Sequence, residues 1–326
     1  PPLSASTLNL EGRLRARHEQ ASLALGRLDG STVLLPNTGH FLWLYIRKEA
    51  VLSSQIEGTQ STLTNLVLHE NKQAPGVPRA DVEEVSNYVA AMRHGLDRIA
   101  GGFPLCLRLL REVQKILVTQ SRGSAQAPGE FRRIQNWVGG SHPSHAQYVP
   151  PPPNELTRLL ADFETFLHDQ DVPPILKAGL AHAQFETIHP LLDGNGRVGR
   201  LLITLILNHE RVLEQPLLYM SLHFKRHRQE YYDRLQRIRT HGDWEGWMDF
   251  YLHGLATVAN KAAKTIGKLH ELMNSDRAAC SQRSGSVYQA AAANNNVLVY
   301  DLLCQRLVLT ASETSAQLGI ARRTAK

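Results

Sequence analysis

Residues 189 to 200 read His-Pro-Leu-Leu-Asp-Gly-Asn-Gly-Arg-Val-Gly-Arg, a run holding a base, a carboxylate, three glycines and two arginines. Together these residue types suit the handling of a phosphate. A neutral imidazole at His189 can take a hydroxyl proton near neutral pH. Asp193 offers oxygen to a hard cation such as Mg²⁺, and Arg197 and Arg200 offer guanidinium forks to phosphate oxygens. Gly194 and Gly196 have no Cβ, so their amides and that of Asn195 stay open to close approach. Asp193 would serve equally as a helix N-cap, and its position leaves both roles open.

The elements that must position these groups follow from the same letters. Pro190 disfavours helix at His189, so one helix ends there and another begins near Asn195. Arg197 and Arg200 then stand in the first turns of a helix, where the dipole disfavours cations. A bound anion would resolve that conflict. Gly194, Gly196 and Gly199 also spell Gly-x-Gly-x-x-Gly, the dinucleotide fingerprint, which must follow a strand. Here Ile175, Leu176, Gly179, Leu180, Ala183 and Ile188 precede it at helical spacing, which excludes that reading.

Helical periodicity recurs over residues 40–57, 80–99, 105–120, 155–168, 173–188, 195–209, 225–239 and 244–273, so the class is mostly α. Residues 131–153 break the pattern: Gln135, Asn136, Trp137 and Val138, then Tyr148 and Val149, flank Gly139, Gly140 and Pro143. This reads as a β-hairpin or as a long irregular loop, with little between the two. The polar stretch 274–296 reads as a linker. Residues 297–326 look like a partial helix-turn-helix ending in Arg322 and Arg323, or a helical packing module that binds no DNA.

Composition bounds the rest. The 326 residues carry a net charge of +6, which permits nucleic acid or an acidic partner without requiring either. The three cysteines form no Cys-x-x-Cys pair, as in a reducing compartment. The longest apolar stretch, 201–207, is far below the roughly 20 residues that span a bilayer. It reads as a buried central helix, and no basic segment with an apolar core opens the chain, so the expectation is a cytoplasmic protein without membrane contact. His223 with His227 and His142 with His145 lack the glutamate of a metal-hydrolase motif.

The run 189–200 resembles the Fic family motif His-Pro-Phe-x-Asp/Glu-Gly-Asn-Gly-Arg-x-x-Arg, with Leu191 in place of the phenylalanine. The resemblance implies a helical bundle with a small β-hairpin flap, and transfer of AMP from ATP to a protein hydroxyl. In it His189 would be the base, Asp193 would hold Mg²⁺, Arg197 would grip the β-phosphate region and Arg200 the γ-phosphate. The run Phe131-Arg132-Arg133-Ile134-Gln135-Asn136-Trp137 is similar to the flap of these proteins, whose edge would hold a target segment by strand addition.

Ser53-Ser54-Gln55-Ile56-Glu57-Gly58 resembles the inhibitory Ser/Thr-x-x-x-Glu-Gly/Asn signature of some Fic proteins, on a helix over about 40–58. Glu57 at a helix end and Arg200 at a helix start are both disfavoured by their dipoles and would satisfy each other. The implied architecture is an N-terminal helical region over 1–79, a catalytic domain over 80–273 and a winged-helix-like tail. The implied partners are ATP, a protein target with a Ser, Thr or Tyr hydroxyl, the chain itself, a second copy, or DNA through the tail. Two other functions stay open: removal of AMP by water that Glu57 positions, and nucleotide-sensing regulation at DNA. Phosphorylation fits less well, because relatives that phosphorylate carry Lys where Gly196 stands.

Overall fold

The computed structural model describes residues 8, 10–35, 38–70, 79–119, 127–281, 287–306 and 310–320. Their order is α1 (Gly12–Gly30), a 3₁₀ turn (Ser31–Leu34), α2 (Thr38–Ile56), α3 (Leu63–Glu70), α4 (Arg79–Ala100) and α5 (Leu107–Leu117). After the irregular 131–153 region come α6 (Leu156–Leu167), α7 (Pro174–Ile188), α8 (Asn195–His209), α9 (Ser221–Arg226), α10 (Arg228–His241) and α11 (Trp244–Ser281). The order closes with α12 (Val287–Arg306) and α13 (Ala311–Leu318). The mostly α class is confirmed, and the described residues contain no sheet.

The core is the antiparallel pair α7 and α8, flanked by α6 on α7 and by α4 and α5 on α8. Helix α8 is buried almost all round, from Val198 through Leu207, as expected for a central helix. Apolar side chains on every face of a helix require neighbours on every side. Pro174 opens α7 at a position where no backbone N–H is needed. At Gly179 a Cβ would stand 2.6 Å from Tyr251 Cδ1, so α7 packs against the Tyr251 ring only because that residue is glycine.

The chain divides into two compact units. One comprises Pro1–Asp29 and Leu44–Lys261 and contains the core just described. In it α1 buries Leu14, Ala21, Ala24, Leu25 and Leu28. Arg13 and Arg17 of α1 both reach Asp249, at 2.7 and 3.0 Å. The other comprises Gly30–Trp43 and Ala262–Lys326. In it α12 and α13 pack together, Arg277 pairs with Asp301 at 3.1 Å, and Thr310 closes a capping box with Glu313 at the start of α13.

Three expectations change in detail. Within 274–296, read from the sequence as a linker, α11 continues to Ser281 and α12 begins at Val287, because alanines and charged residues sustain helix there. The helix expected over 225–239 is two, α9 and α10, separated at His227, whose φ of −115° and ψ of 41° are not helical. The hairpin reduces to one antiparallel bridge, Val138 with Tyr148, because Gly139 and Gly140 at positive φ and a 3₁₀ turn at Pro143–His145 take up the residues between. Arg322 and Arg323 lie outside the described residues. Among the described residues no helix is long and apolar enough to cross a membrane.

Candidate active site

The motif loop joins α7 to α8. His189 ends α7 in the left-handed region, φ 48° and ψ 58°, its N–H donating to the Phe185 carbonyl at 2.8 Å. A non-glycine residue there is strained and persists only where its surroundings hold it. Arg132 supplies much of that hold. Though only 3% exposed, it donates from Nε to the His189 carbonyl at 2.9 Å, and its other nitrogens reach the carbonyls of Ile134, Pro151 and Ile188. Leu191, in the place of the family phenylalanine, is buried. Its amide and carbonyl are both held by the Asn195 side chain, at 2.9 and 2.7 Å. Gln114 of α5 donates to the Asp193 carbonyl at 3.2 Å.

Helix α8 then starts at Gly194, φ 85°, with no side chain capping it. Its first residues, with Asp193, line a cavity of about 420 Å³. A second cavity of about 870 Å³ is lined by Glu186, Arg200, Tyr232 and Arg239, and both share His189, Glu57 and Gly196. Base, carboxylates, arginines and open amides therefore meet at one place.

The dipole conflict of the two arginines is met by carboxylates of the chain itself. Arg200, 1% exposed, reaches Glu57 Oε1 at 2.6 Å and donates to Ser53 through Nε to Oγ at 2.8 Å and Nη2 to the carbonyl at 3.2 Å. Glu57 follows the last residue of α2, and Gly58 turns the chain at φ 102°. Burial disfavours the charged Glu57 carboxyl, yet the charge and hydrogen bond of Arg200 outweigh it and hold the carboxyl below its ordinary range. Glu57 Oε1 occupies the place where a Cβ on residue 196 would stand, so Gly196 is what lets the carboxylate in. Arg197 is held by Glu84 of α4 at 2.9 Å and by Asp193 at 3.1 Å.

Helix α2 is fixed from its buried side. Glu49 accepts from the Ser221 amide at 3.1 Å and from the Ser221 and Tyr88 hydroxyls, and burial raises its carboxyl to about 7.

The expected flap residues divide into two groups. Gln135 donates to the carbonyls of Asn136 and Pro150, Asn136 to that of Leu191 at 2.9 Å, and Tyr148 OH to that of Thr187 at 2.7 Å. Asn136 holds the segment on the loop, Tyr148 holds it on α7, and Gln135 ties its two ends together. Trp137 and Val149 remain partly exposed, and Val138 lines both cavities.

Four residues that the sequence reading did not single out also shape the site. Arg132 lies inside the Phe131–Trp137 run, and Glu186 stands one helical turn before His189, so both had a local signal. Glu84 and Arg239 had none, because only the tertiary fold brings α4 and α10 to the loop. Arg239 lies over the Tyr148 ring, 3.9 Å from its centre, and donates to the Glu186 carbonyl at 3.0 Å. Burial, then the charge of Arg239, lower the His189 imidazole to about 4, which keeps it neutral near pH 7.

Comparison with known proteins gives the same placement. Residues 15–97 match the Fic/DOC family N-terminal region and residues 104–207 the Fic/DOC family domain. The chain is 38% identical over 125 residues to the protein adenylyltransferase Fic of Aedes aegypti, covering 37% of this chain and 22% of that one. It is 32% identical over 157 residues to that of Drosophila virilis, covering 47% and 30%. The chain thus spans under a third of the length of these curated relatives. A Fic family protein from Desulfovibrio desulfuricans G20 superposes over 99% of this chain and 88% of its own, with a TM-score of 0.69 at 21% identity. A Fic-1 fragment from C. elegans covers 79% and 73%, with a TM-score of 0.58 at 19% identity. These two likenesses concern the fold. With the two family matches side by side and the complete loop between α7 and α8 inside the second, the chain belongs to the Fic/DOC family.

Proposed function

We propose that the chain is a protein adenylyltransferase that transfers AMP from ATP to a hydroxyl of a protein, with Glu57 as its built-in brake. The observation that carries this reading is the convergence of His189, the uncapped start of α8 and Arg200 on shared cavities. His189, neutral near pH 7, takes the proton of the target hydroxyl as its oxygen bonds the α-phosphorus. The bond from that phosphorus to the bridging oxygen breaks, and pyrophosphate leaves with the electron pair. The α8 amides and Arg197 bind the phosphates before and during transfer. The name of the curated relatives, protein adenylyltransferase, supports the same chemistry.

Asp193 is the residue that would hold Mg²⁺. Its carboxylate is about a third exposed, faces the smaller cavity and offers the oxygen donor this cation takes. The remaining ligands of such an ion would come from phosphates and water. Bound there, the ion would neutralise phosphate charge.

Glu57 occupies Arg200 and the space above Gly196 that a terminal phosphate would use. The brake is competition for one guanidinium. Removal of AMP is a second reading favoured by one observation: Glu57, over a third exposed, faces both cavities beside His189, where a carboxylate can orient a water. Trp137, Val138 and Val149 would receive the target segment.

The test is the position of the label. Incubated with target extract, the Glu57→Gly chain is expected to transfer label from the α-phosphate of ATP and none from the γ-phosphate. His189→Ala in that chain is expected to reduce transfer by two to four orders of magnitude. Transfer of γ-label, or α-label transfer that survives His189→Ala, overturns the assignment.

A further inference from the structure

Glu186 is 6% exposed, lines the larger cavity, and its Oε1 is buried without a hydrogen-bond partner. A buried carboxyl left unsatisfied is costly, so its persistence at a cavity wall calls for a use. Its other oxygen, Oε2, lies 3.9 Å from His189 Nδ1, which is likewise buried and without a hydrogen-bond partner. The imidazole lines both cavities while Nδ1 is sealed, so the Nε2 edge is the one that opens to substrate. Residues three apart on a helix share a face, which sets the Glu186 side chain under the ring. The Glu186 carbonyl also acts on the imidazole while accepting from Arg239, so the carboxylate is the charged acceptor of the two beside this ring.

On the adenylyltransferase reading above, we infer that Glu186 is the positioning residue for His189: its carboxylate accepts the Nδ1–H and so leaves the Nε2 lone pair facing the attacking hydroxyl. The gap exceeds hydrogen-bond length by about 1 Å, and such contacts tighten when an active site fills. When the hydroxyl proton arrives on Nε2, the carboxylate stabilises the imidazolium. A base oriented by a carboxylate on its far nitrogen is a recurrent catalytic arrangement.

Glu186 is faced by Arg200 from α8, by Glu57 from the end of α2, by Arg239 and Tyr231 from α10, and by His182 on its own helix. Burial, the largest influence, raises its carboxyl to about 7 against the opposing pull of Arg200. Since the ionised form is the acceptor, transfer rises with pH through neutrality.

The experiment compares Glu186→Gln and Glu186→Met in the full Glu57→Gly chain, with α-labelled ATP across pH and ¹⁵N-histidine NMR of the His189 tautomer. The methionine fills the volume without accepting and is expected to lower kcat on the order of 100-fold, KM for ATP moving by no more than about twofold. The Gln variant keeps an acceptor and is expected to retain at least about a tenth of the rate, with the acid limb displaced to lower pH. The Nδ1–H tautomer is expected in the parent and in the Gln variant, and mixed tautomers in the Met variant. Equal losses in both variants with an unmoved acid limb, or one tautomer throughout, overturn the inference. If the parent transfers no α-label but the tautomer shifts as stated, the orientation stands and the adenylyltransferase reading fails.

Discussion

Arg200 and Glu57 stand 143 residues apart in the chain, yet a guanidinium Nη2 lies 2.6 Å from the carboxylate Oε1, with the arginine 1% exposed. A buried arginine without a partner would be severely destabilising, so this guanidinium needs an anion whether or not nucleotide is present. Ser53 adds two acceptors to the same group. Whatever anion replaces Glu57 must therefore arrive with comparable charge and geometry, which a terminal phosphate has.

The grip should not depend on pH in the physiological range. Arg200 holds the Glu57 carboxyl below its ordinary value, so the interaction is fully present above the ordinary carboxylate range and is lost only as pH falls through the lowered one. The ratio of transfer by Glu57→Gly to transfer by the parent is expected to stay level from about pH 8 to 9, above the range in which Glu186 titrates. Rates measured at several pH values check this, and a ratio that changes within that range contradicts it.

Arg132 carries the strained loop. Arg132→Ala removes the donor that ties together the carbonyls of Ile134, Pro151, Ile188 and His189, a loss of about 3 kcal/mol, and Tm is expected to fall by about 5 °C. Transfer should fall as well, because His189 is no longer held in its left-handed conformation. Calorimetry with rate measurements decides; an unchanged Tm contradicts the role.

Glu84 shares Arg197 with Asp193. In Glu84→Gln the remaining carboxylate partner in that ion-pair group is Asp193, for which Arg197 then competes more strongly against a metal. The Mg²⁺ concentration for half-maximal transfer is expected to rise about threefold to tenfold. A titration in the Glu57→Gly chain measures this, and an unchanged or lower requirement contradicts it.

How far the sequence could be read depends on how local each constraint is. Helix α8 was legible to the residue, because Gly194, Asn195 and the apolar run after Arg200 fix its start and its burial. The Glu57–Arg200 pair was legible because Ser53–Gly58 resembles an inhibitory signature beside the longer motif, and because both charges sat at disfavoured ends of their helices. Glu84 was not, since nothing near residue 84 announces a partner on α8. Helix α1 was not distinguished because its buried stripe is narrow and interrupted by Arg15, Arg17, His18 and Gln20, and its polar side is used by Asp249. The segment 131–153 was ambiguous because its order comes from side chains donating to distant carbonyls, a pattern without periodicity.

The central claim is that Glu57 restrains a competent transferase by occupying Arg200. The most direct measurement is the initial rate of α-label transfer by Glu57→Gly and by the parent chain at equal, subsaturating ATP. The account predicts a rate 5- to 150-fold higher for Glu57→Gly, the range of typical coupling between competing sites, with no gain when Arg200→Ala is added. Equal rates in parent and Glu57→Gly, with transfer readily measured in both, would contradict it.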